Sequence, residues 1–299
     1  MSRRIRDLAA DHPDFFSLVP VWSTKQLAPA QIFDDVVMAA TEGCSCFVVN
    51  TGEGLLLFDA LLPCRACFEN IAAAIEGAGW RLSDLRRILI THGHYDHTGA
   101  AGRLAHETGA EIWFPAGEYA RWRSEFEVKR TNGNILRAGS DLLPVSPDIA
   151  PARLLRDGDA FTLGHTSVRC VHTPGHTPDC MSYVFNVTDS GTSHLALMPG
   201  GTLPQPMPGA LAAQLDSLAL CDRLVDELGI DVELQNHHPL CCGEAKMALC
   251  RSRLSHIANP FVIGTDGVHA AIGAYRRLCE AKREAIRKDL AEAGTKVPD

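Results

Sequence analysis

No apolar run in the sequence approaches the roughly 18 residues that a membrane-spanning helix needs, so no association with a membrane is expected. The N-terminal basic cluster of Arg3, Arg4 and Arg6 opens like a secretory signal, yet the apolar core of one does not follow. Asp7, Asp11, His12 and Asp14 interrupt it, and the chain reads as cytoplasmic. A basic excess is missing too. The 28 Lys and Arg against 36 Asp and Glu leave a net charge of -8, which argues against a nucleic-acid partner gripped through its phosphates. Repeats, low-complexity tracts and long Gly/Ser linkers are also lacking. The 299 residues therefore read as a single domain over 1–299, with a core over about 30–240 and a helical C-terminal extension over 244–299. Composition leaves the oligomeric state open.

Cysteine is plentiful, but a zinc-ribbon pattern is not. Eleven cysteines in a reducing compartment are not expected to form disulfides. Two spacings look metal-like, Cys44 with Cys46 and Cys64 with Cys67. A ribbon needs two CxxC knuckles on turns. Here the first pair opens an apolar strand and the second opens a helix, so all four are read as buried free thiols.

The apolar pattern supplies the elements. "CSCFVVNTGEGLLLFDA" reads as two strands around a Gly52-Glu53-Gly54 turn. "CFENIAAAIEGAG" sets Phe68, Ile71, Ile75 and Ala78 on one helical face. "RRILIT" is a short buried strand, "GAAGRLAHETGA" a helix and "EIWF" another strand. Residues 126–150, with Gly133, Gly139, Pro144 and Pro147, read as a long loop. The second half offers strands in "AFTL", "TSVRCVHT", "CMSYVFNV" and "HLALM", a helix in "ALAAQLDSLALCDRLVDEL", and a last strand in "DVELQ". Beyond residue 244 the pattern is helical, with Val268, Ile272, Tyr275 and Cys279 on one stripe. Strands, helix, strands, helix suggest two packed sheets with helices outside.

The chemistry lies in "THGHYDHTGA", residues 91–100. Three histidines are awkward in a core, because each ring brings a donor and an acceptor that need partners. Residues two apart on an extended segment point the same way, so His92, His94 and Asp96 converge, and His97 follows where the chain turns into a helix. This is not the HExxH pattern of a helix-borne zinc site. Four ligand-type residues exceed what one tetrahedral ion easily uses, and two adjacent ions fit better. Further ligands are expected at other strand ends. His176 sits on a Pro-Gly turn, His172 lies inside a strand in a structural or supporting role, and His237 and His238 close the last strand.

HxHxDH, then PGHT, then a strand ending in histidine resembles the metallo-β-lactamase superfamily over roughly residues 30–240. The resemblance implies an α/β (α+β) fold, a four-layer αββα sandwich with a dinuclear Zn2+ site on the rim between its sheets. By the same resemblance, His92, His94 and His176 would hold the first zinc. Asp96, His97 and either His237 or His238 would hold the second, with His238 preferred because it directly precedes Pro239. Asp59 matches the family's aspartate that supports the histidine loop. One departure stands out. "HLALM" is followed by Pro199-Gly200-Gly201-Thr202, without the bridging aspartate of many members or the zinc-binding cysteine of the first two β-lactamase subclasses. The pattern is most like the third β-lactamase subclass and its hydrolase relatives, and its second ion is expected to be held more weakly. His94 stands where diiron members carry glutamate, which favours zinc over iron.

The expected function is that of a dinuclear zinc hydrolase using a metal-bound hydroxide on the carbonyl of a small molecule, an amide or lactam or an ester or lactone. Asp96 would be its catalytic carboxylate. Two alternatives stand beside it, a true β-lactamase of the third subclass and a non-catalytic metal-binding member of the fold. The ligand set leaves open coordination positions, unlike a closed structural zinc site. The residues that would read the substrate, 126–150 and those after Gly201, carry no interpretable pattern.

Overall fold

The computed structural model describes residues 19–131, 149–202, 205, 208–254 and 256–292. A seven-stranded sheet runs in the order β1 (Gln26–Phe33), β2 (Val36–Thr41), β3 (Ser45–Asn50), β4 (Leu55–Phe58), β5 (Leu85–Leu89), β6 (Glu111–Pro115), β7 (Arg153–Leu155). The first three pairings are antiparallel and the last three parallel. A five-stranded sheet has the order β12 (Val232–Glu233), β11 (Thr192–Met198), β10 (Met181–Asp189), β9 (Thr166–His172), β8 (Ala160–Leu163). The β1–β2 hairpin, for which residues 26–41 carried no sequence reading, supplies the outer edge of the first sheet.

Strand alternation explains why the two sheets pack. In β10, Met181, Tyr183, Phe185 and Val187 face the first sheet while Val184 faces the opposite side. In β4, Leu56 and Phe58 point between the sheets and Leu55 and Leu57 point outward. Phe58 stacks on Phe185 with ring centroids 4.3 Å apart. Strands covered on both faces read as unbroken apolar runs, which is why "LLLF" shows no polar alternation.

Helices cover both outer faces. Helix α1 (Arg65–Gly77) begins with Cys64 as its cap, whose Sγ accepts a hydrogen bond from the Cys67 amide, and it buries Phe68, Ile71, Ala74 and Ile75. With α2 (Tyr95–Thr98) and α3 (Ala101–Thr108) it lies on the first sheet. On the second sheet lie α5 (Pro208–Leu228) and α7 (Gly264–Glu292), the latter through Val268, Ile272, Tyr275 and Cys279. The C-terminal helix thus forms part of the outer layer. Between them α6 (Gly243–Ser252) closes the edge near β1. The result is the expected four-layer αββα sandwich.

Residues 126–150 do not begin as a loop. Helix α4 (Ala116–Thr131) continues through residue 131, and the rest of that stretch, 132–148, lies outside the described residues. The helix shows no apolar period because its sequence is largely polar; among its described side chains, Tyr119 and Trp122 pack on Phe114. "DVELQ" is shorter than expected, only Val232–Glu233, and runs parallel to β11. Among the described residues no helix is long and apolar enough to cross a membrane.

Candidate metal centre

Three chain segments meet where β4, β5 and β9 end. The loop after β5 carries Thr91 to His94 and runs into α2, which carries Asp96 and His97; the loop after β9 carries His176, and the segment after β12 carries His237. The β2–β3 turn reaches the same rim because β3 runs antiparallel to β4.

His92, His94 and His176 form one cluster. Nε2 of His92 lies 3.1 Å from Nδ1 of His94, and Nε2 of His176 lies 3.1 and 3.0 Å from those two atoms. Three mutually facing ring nitrogens cannot all be paired as hydrogen bonds by neutral imidazoles, each with a single N–H. They fit lone pairs turned toward one cation. Their spacing is close to that of donors at ~2.0–2.1 Å from a tetrahedral zinc.

A second cluster adjoins it, with the His92 and His97 rings 4.2 Å apart between centroids. His97 Nε2 lies 3.3 Å from His237 Nε2 and 3.4 Å from Asp96 Oδ2, and His237 Nε2 lies 3.7 Å from the same Asp96 oxygen. Cys44 stands at its edge, Sγ 3.4 Å from Asp96 Oδ2. Five of the six residues expected as ligands, His92, His94, Asp96, His97 and His176, are brought together in these two clusters.

The sixth needs correction. His238 turns away, donating from Nε2 to the Thr41 carbonyl at 2.7 Å, and His237 takes the place expected for it. Proximity to Pro239 is no guide here. The backbone enters a short 3-10 helix at His238–Cys241, and successive side chains at that corner leave in different directions. His172, half-buried at the end of β9, faces Asp179 at 3.7 Å and belongs to neither cluster.

The support around the ligands decides which nitrogen faces inward. Asp59 is fully buried in the left-handed region at φ 59°, and accepts from the Thr91 amide at 2.8 Å, the Thr91 hydroxyl at 2.9 Å and His97 Nδ1 at 2.9 Å. Asn236 Nδ2 adds a fourth contact at 3.3 Å. The Thr91 hydroxyl, having spent its proton on Asp59, accepts from His92 Nδ1 at 3.0 Å. His237 Nδ1 donates to the Gly43 carbonyl at 3.0 Å. Each of these three rings thus keeps its N–H outward and its Nε2 lone pair toward the cluster, the arrangement that orients metal-bound histidines.

A second supporting carboxylate, Glu118 in the first turn of α4, had no sequence signal. It is fully buried and accepts from the amides of Gly93 at 2.8 Å and Asp179 at 3.1 Å, while pairing with Arg121. One side chain therefore ties the His92–His94 loop to the loop bearing His176. Cys44 had been visible only as half of a CxC pair.

Electrostatics follow from burial. Burial pushes the His92 ring well below its ordinary value and the His237 ring down to about 4, with neighbouring histidines adding to the effect. Burial opposes ionisation of Asp96, but the charges of His97, His237 and His94 outweigh it and hold the carboxyl at about 2. At His97 burial is outweighed by Asp96 and Asp59, which raise it. Burial, then Asp96, raises the Cys44 thiol well above the usual range. The lowered rings of His92 and His237 and the ionised Asp96 are in the protonation states that a divalent cation requires, while a cation at His97 would displace the proton that its two carboxylate neighbours favour.

Comparison with known proteins identifies the family. A probable metallo-hydrolase of Burkholderia pseudomallei is 36% identical over 145 residues, 47% of this chain and 45% of that one. A hydroxyacylglutathione hydrolase of a Bradyrhizobium species is 33% identical over 179 residues, 60% of this chain and 57% of that one. The chain spans about half the length of these curated relatives. Its fold is that of the subclass B3 metallo-β-lactamase of Bradyrhizobium japonicum, with a TM-score of 0.68 at 24% identity over 92% of this chain and 97% of that one. A metallo-β-lactamase of Legionella gormanii gives 0.68 at 20% identity over 91% and 98%. The model of the metallo-β-lactamase superfamily matches residues 40–189, the half of the sequence that carries Asp59, the histidine loop and His176, and the chain belongs to that superfamily.

Proposed function

We propose that the protein is a dinuclear zinc-dependent hydrolase acting on the carbonyl of a small molecule, an amide or lactam or an ester or lactone. The observation that carries this reading is the pair of adjoining donor clusters, His92, His94 and His176 beside Asp96, His97 and His237. Zinc held by neutral imidazoles lowers the pKa of coordinated water to about 7 and polarises a carbonyl oxygen. The chain's own part is to hold the donors and to guide the attacking water. Asp96 is the carboxylate among the donors, and it would orient an attacking water and accept its proton. Asp59 and Thr91 hold His97 and His92 in the required tautomers, and Glu118 keeps the two loops of the first cluster in register. His94 is half-buried, so substrate reaches the centre from its side. The cytoplasmic location expected from the sequence belongs to the same proposal.

The test is elemental analysis after metal reconstitution, paired with turnover on lactams, lactones, esters and acyl-amino acids. Thioesters belong to the same panel. Two zinc ions per chain and turnover that Asp96→Ala abolishes without lowering the melting temperature to match are expected. One tightly bound ion, or iron, sinks the dinuclear zinc reading. Activity confined to lactams would select the β-lactamase alternative.

A further inference from the structure

The second cluster has three donors, of which one is anionic. Asp96, His97 and His237 supply a single anionic ligand, and the segment that carries a bridging carboxylate in many relatives is Pro199-Gly200-Gly201 here. Space confirms that no acid belongs there. A Cβ on Gly201 would stand 2.6 Å from the Cβ and Cδ2 of His176, and one on Gly200 would stand 2.4 Å from the Met181 carbonyl oxygen.

An anionic donor reaches the cluster from the opposite wall. Cys44 is fully buried in the β2–β3 turn. Its Sγ, a carboxylate oxygen of Asp96 and a ring nitrogen of His237 all lie within 4.8 Å of one another. The turn that presents the thiol also holds the histidine. Thr41 Oγ1 accepts from the Cys44 amide at 3.1 Å, and the Gly43 carbonyl next to Cys44 receives His237 Nδ1. A side chain at Gly43 has no room, since its Cβ would lie 2.3 Å from the Pro20 carbonyl oxygen, so the turn is pressed into place by the chain above it. Sulfur, carboxylate and imidazole are the donor types that zinc accepts together.

We infer that Cys44 is a thiolate ligand of the second metal beside Asp96 and His237, with its sulfur as a second anionic donor. The inference rests on the dinuclear reading above. As the ion enters, the S–H bond breaks, its electron pair passes to the metal and its proton leaves to solvent. The second site is then not the weak one that the absent carboxylate had suggested.

Cobalt(II) titration of the metal-free protein tests this through a spectrum and not through turnover. Thiolate coordination adds an intense near-ultraviolet charge-transfer band, which histidine and carboxylate ligands do not produce. The band is expected to grow with one of two bound equivalents in the wild type and in Cys46→Ser, and to be missing in Cys44→Ser. Chelator should strip one ion from Cys44→Ser at a concentration on the order of 10- to 100-fold lower than from the wild type. Two bound cobalt ions with no band in the wild type overturn the inference and leave the dinuclear reading intact. A single bound ion, with or without a band, removes the dinuclear reading and with it the assignment of Cys44 to a second metal. The wild-type spectrum alone distinguishes these outcomes, even if a variant fails to fold.

Discussion

Gly201 lies against the ring of His176 so closely that any Cβ there would stand 2.6 Å from it. Gly201→Asp is therefore expected to push His176 aside instead of adding a ligand. Metal affinity at the His92, His94, His176 cluster should fall by ~10-fold or more, with lost turnover. Isothermal titration with zinc would show it, and unchanged or tighter binding would contradict the steric account.

His237 and His238 should separate cleanly. His237→Ala is expected to bind only one ion, because its Nε2 faces His97 and Asp96. His238→Ala should keep both ions and lose stability, about 0.5–1.5 kcal/mol for the hydrogen bond to Thr41 plus the effect of the gap. Metal content and thermal melts on the two variants decide it, and the opposite pattern would reinstate His238 as a ligand.

Asp59→Asn keeps a residue that tolerates the left-handed backbone at φ 59° while removing the charge and one acceptor oxygen. The amide cannot serve Thr91 and His97 together as the carboxylate does. Zinc affinity is expected to drop ~10–100-fold, with melting of the metal-free protein lowered as well. Wild-type affinity in this variant would mean that the His97 tautomer is set by something else.

Glu118→Gln tests the tie between the two ligand loops. Its neutral amide leaves Arg121 with no carboxylate there and can accept through only one atom, whereas the carboxylate serves both Gly93 and Asp179. Affinity at the first cluster should fall while the Asp96, His97, His237 cluster retains its ion. Cobalt spectra recorded ion by ion distinguish the two sites, and equal losses at both would point to general unfolding.

Stability of the metal-free protein should decrease on acidification. His92, His94, His237 and His238 all have lowered pKa values in the fold, His237 to about 4 from 6.5. Below pH 6.5 the unfolded chain binds protons at these rings that the folded protein refuses, so stability is lost as the pH falls from 6.5 toward 4. Asp96, held at about 2 against 3.8, adds a contribution that is present above 3.8 and disappears toward 2. His97, raised, works the other way, its contribution being full below 6.5 and lost as the pH rises past its folded value. Melting temperatures at about pH 7 and about pH 4.5 should differ, with the lower value in acid. A flat profile would show that the rings are not held neutral.

Most of the architecture, and five of the six residues expected to meet as ligands, were legible from the chain alone, because they depend on near neighbours. Period-two alternation places His92, His94 and Asp96 on one side, and runs such as "LLLF" announce strands buried on both faces. Helix α4 has no legible period, because among its described side chains few face the core, chiefly Glu118 and Trp122. The choice between His237 and His238 is not in the local sequence at all. Both are histidines at the same strand end, and each is aimed by a different carbonyl of the β2–β3 turn, Gly43 for one and Thr41 for the other. Those carbonyls lie about two hundred positions away, at |i−j| of 194 and 197. Cys44 likewise meets Asp96 across 52 positions. Ligand types are written along the chain, but the direction each ligand faces is a matter of hydrogen bonds between segments that touch only after the two sheets have packed.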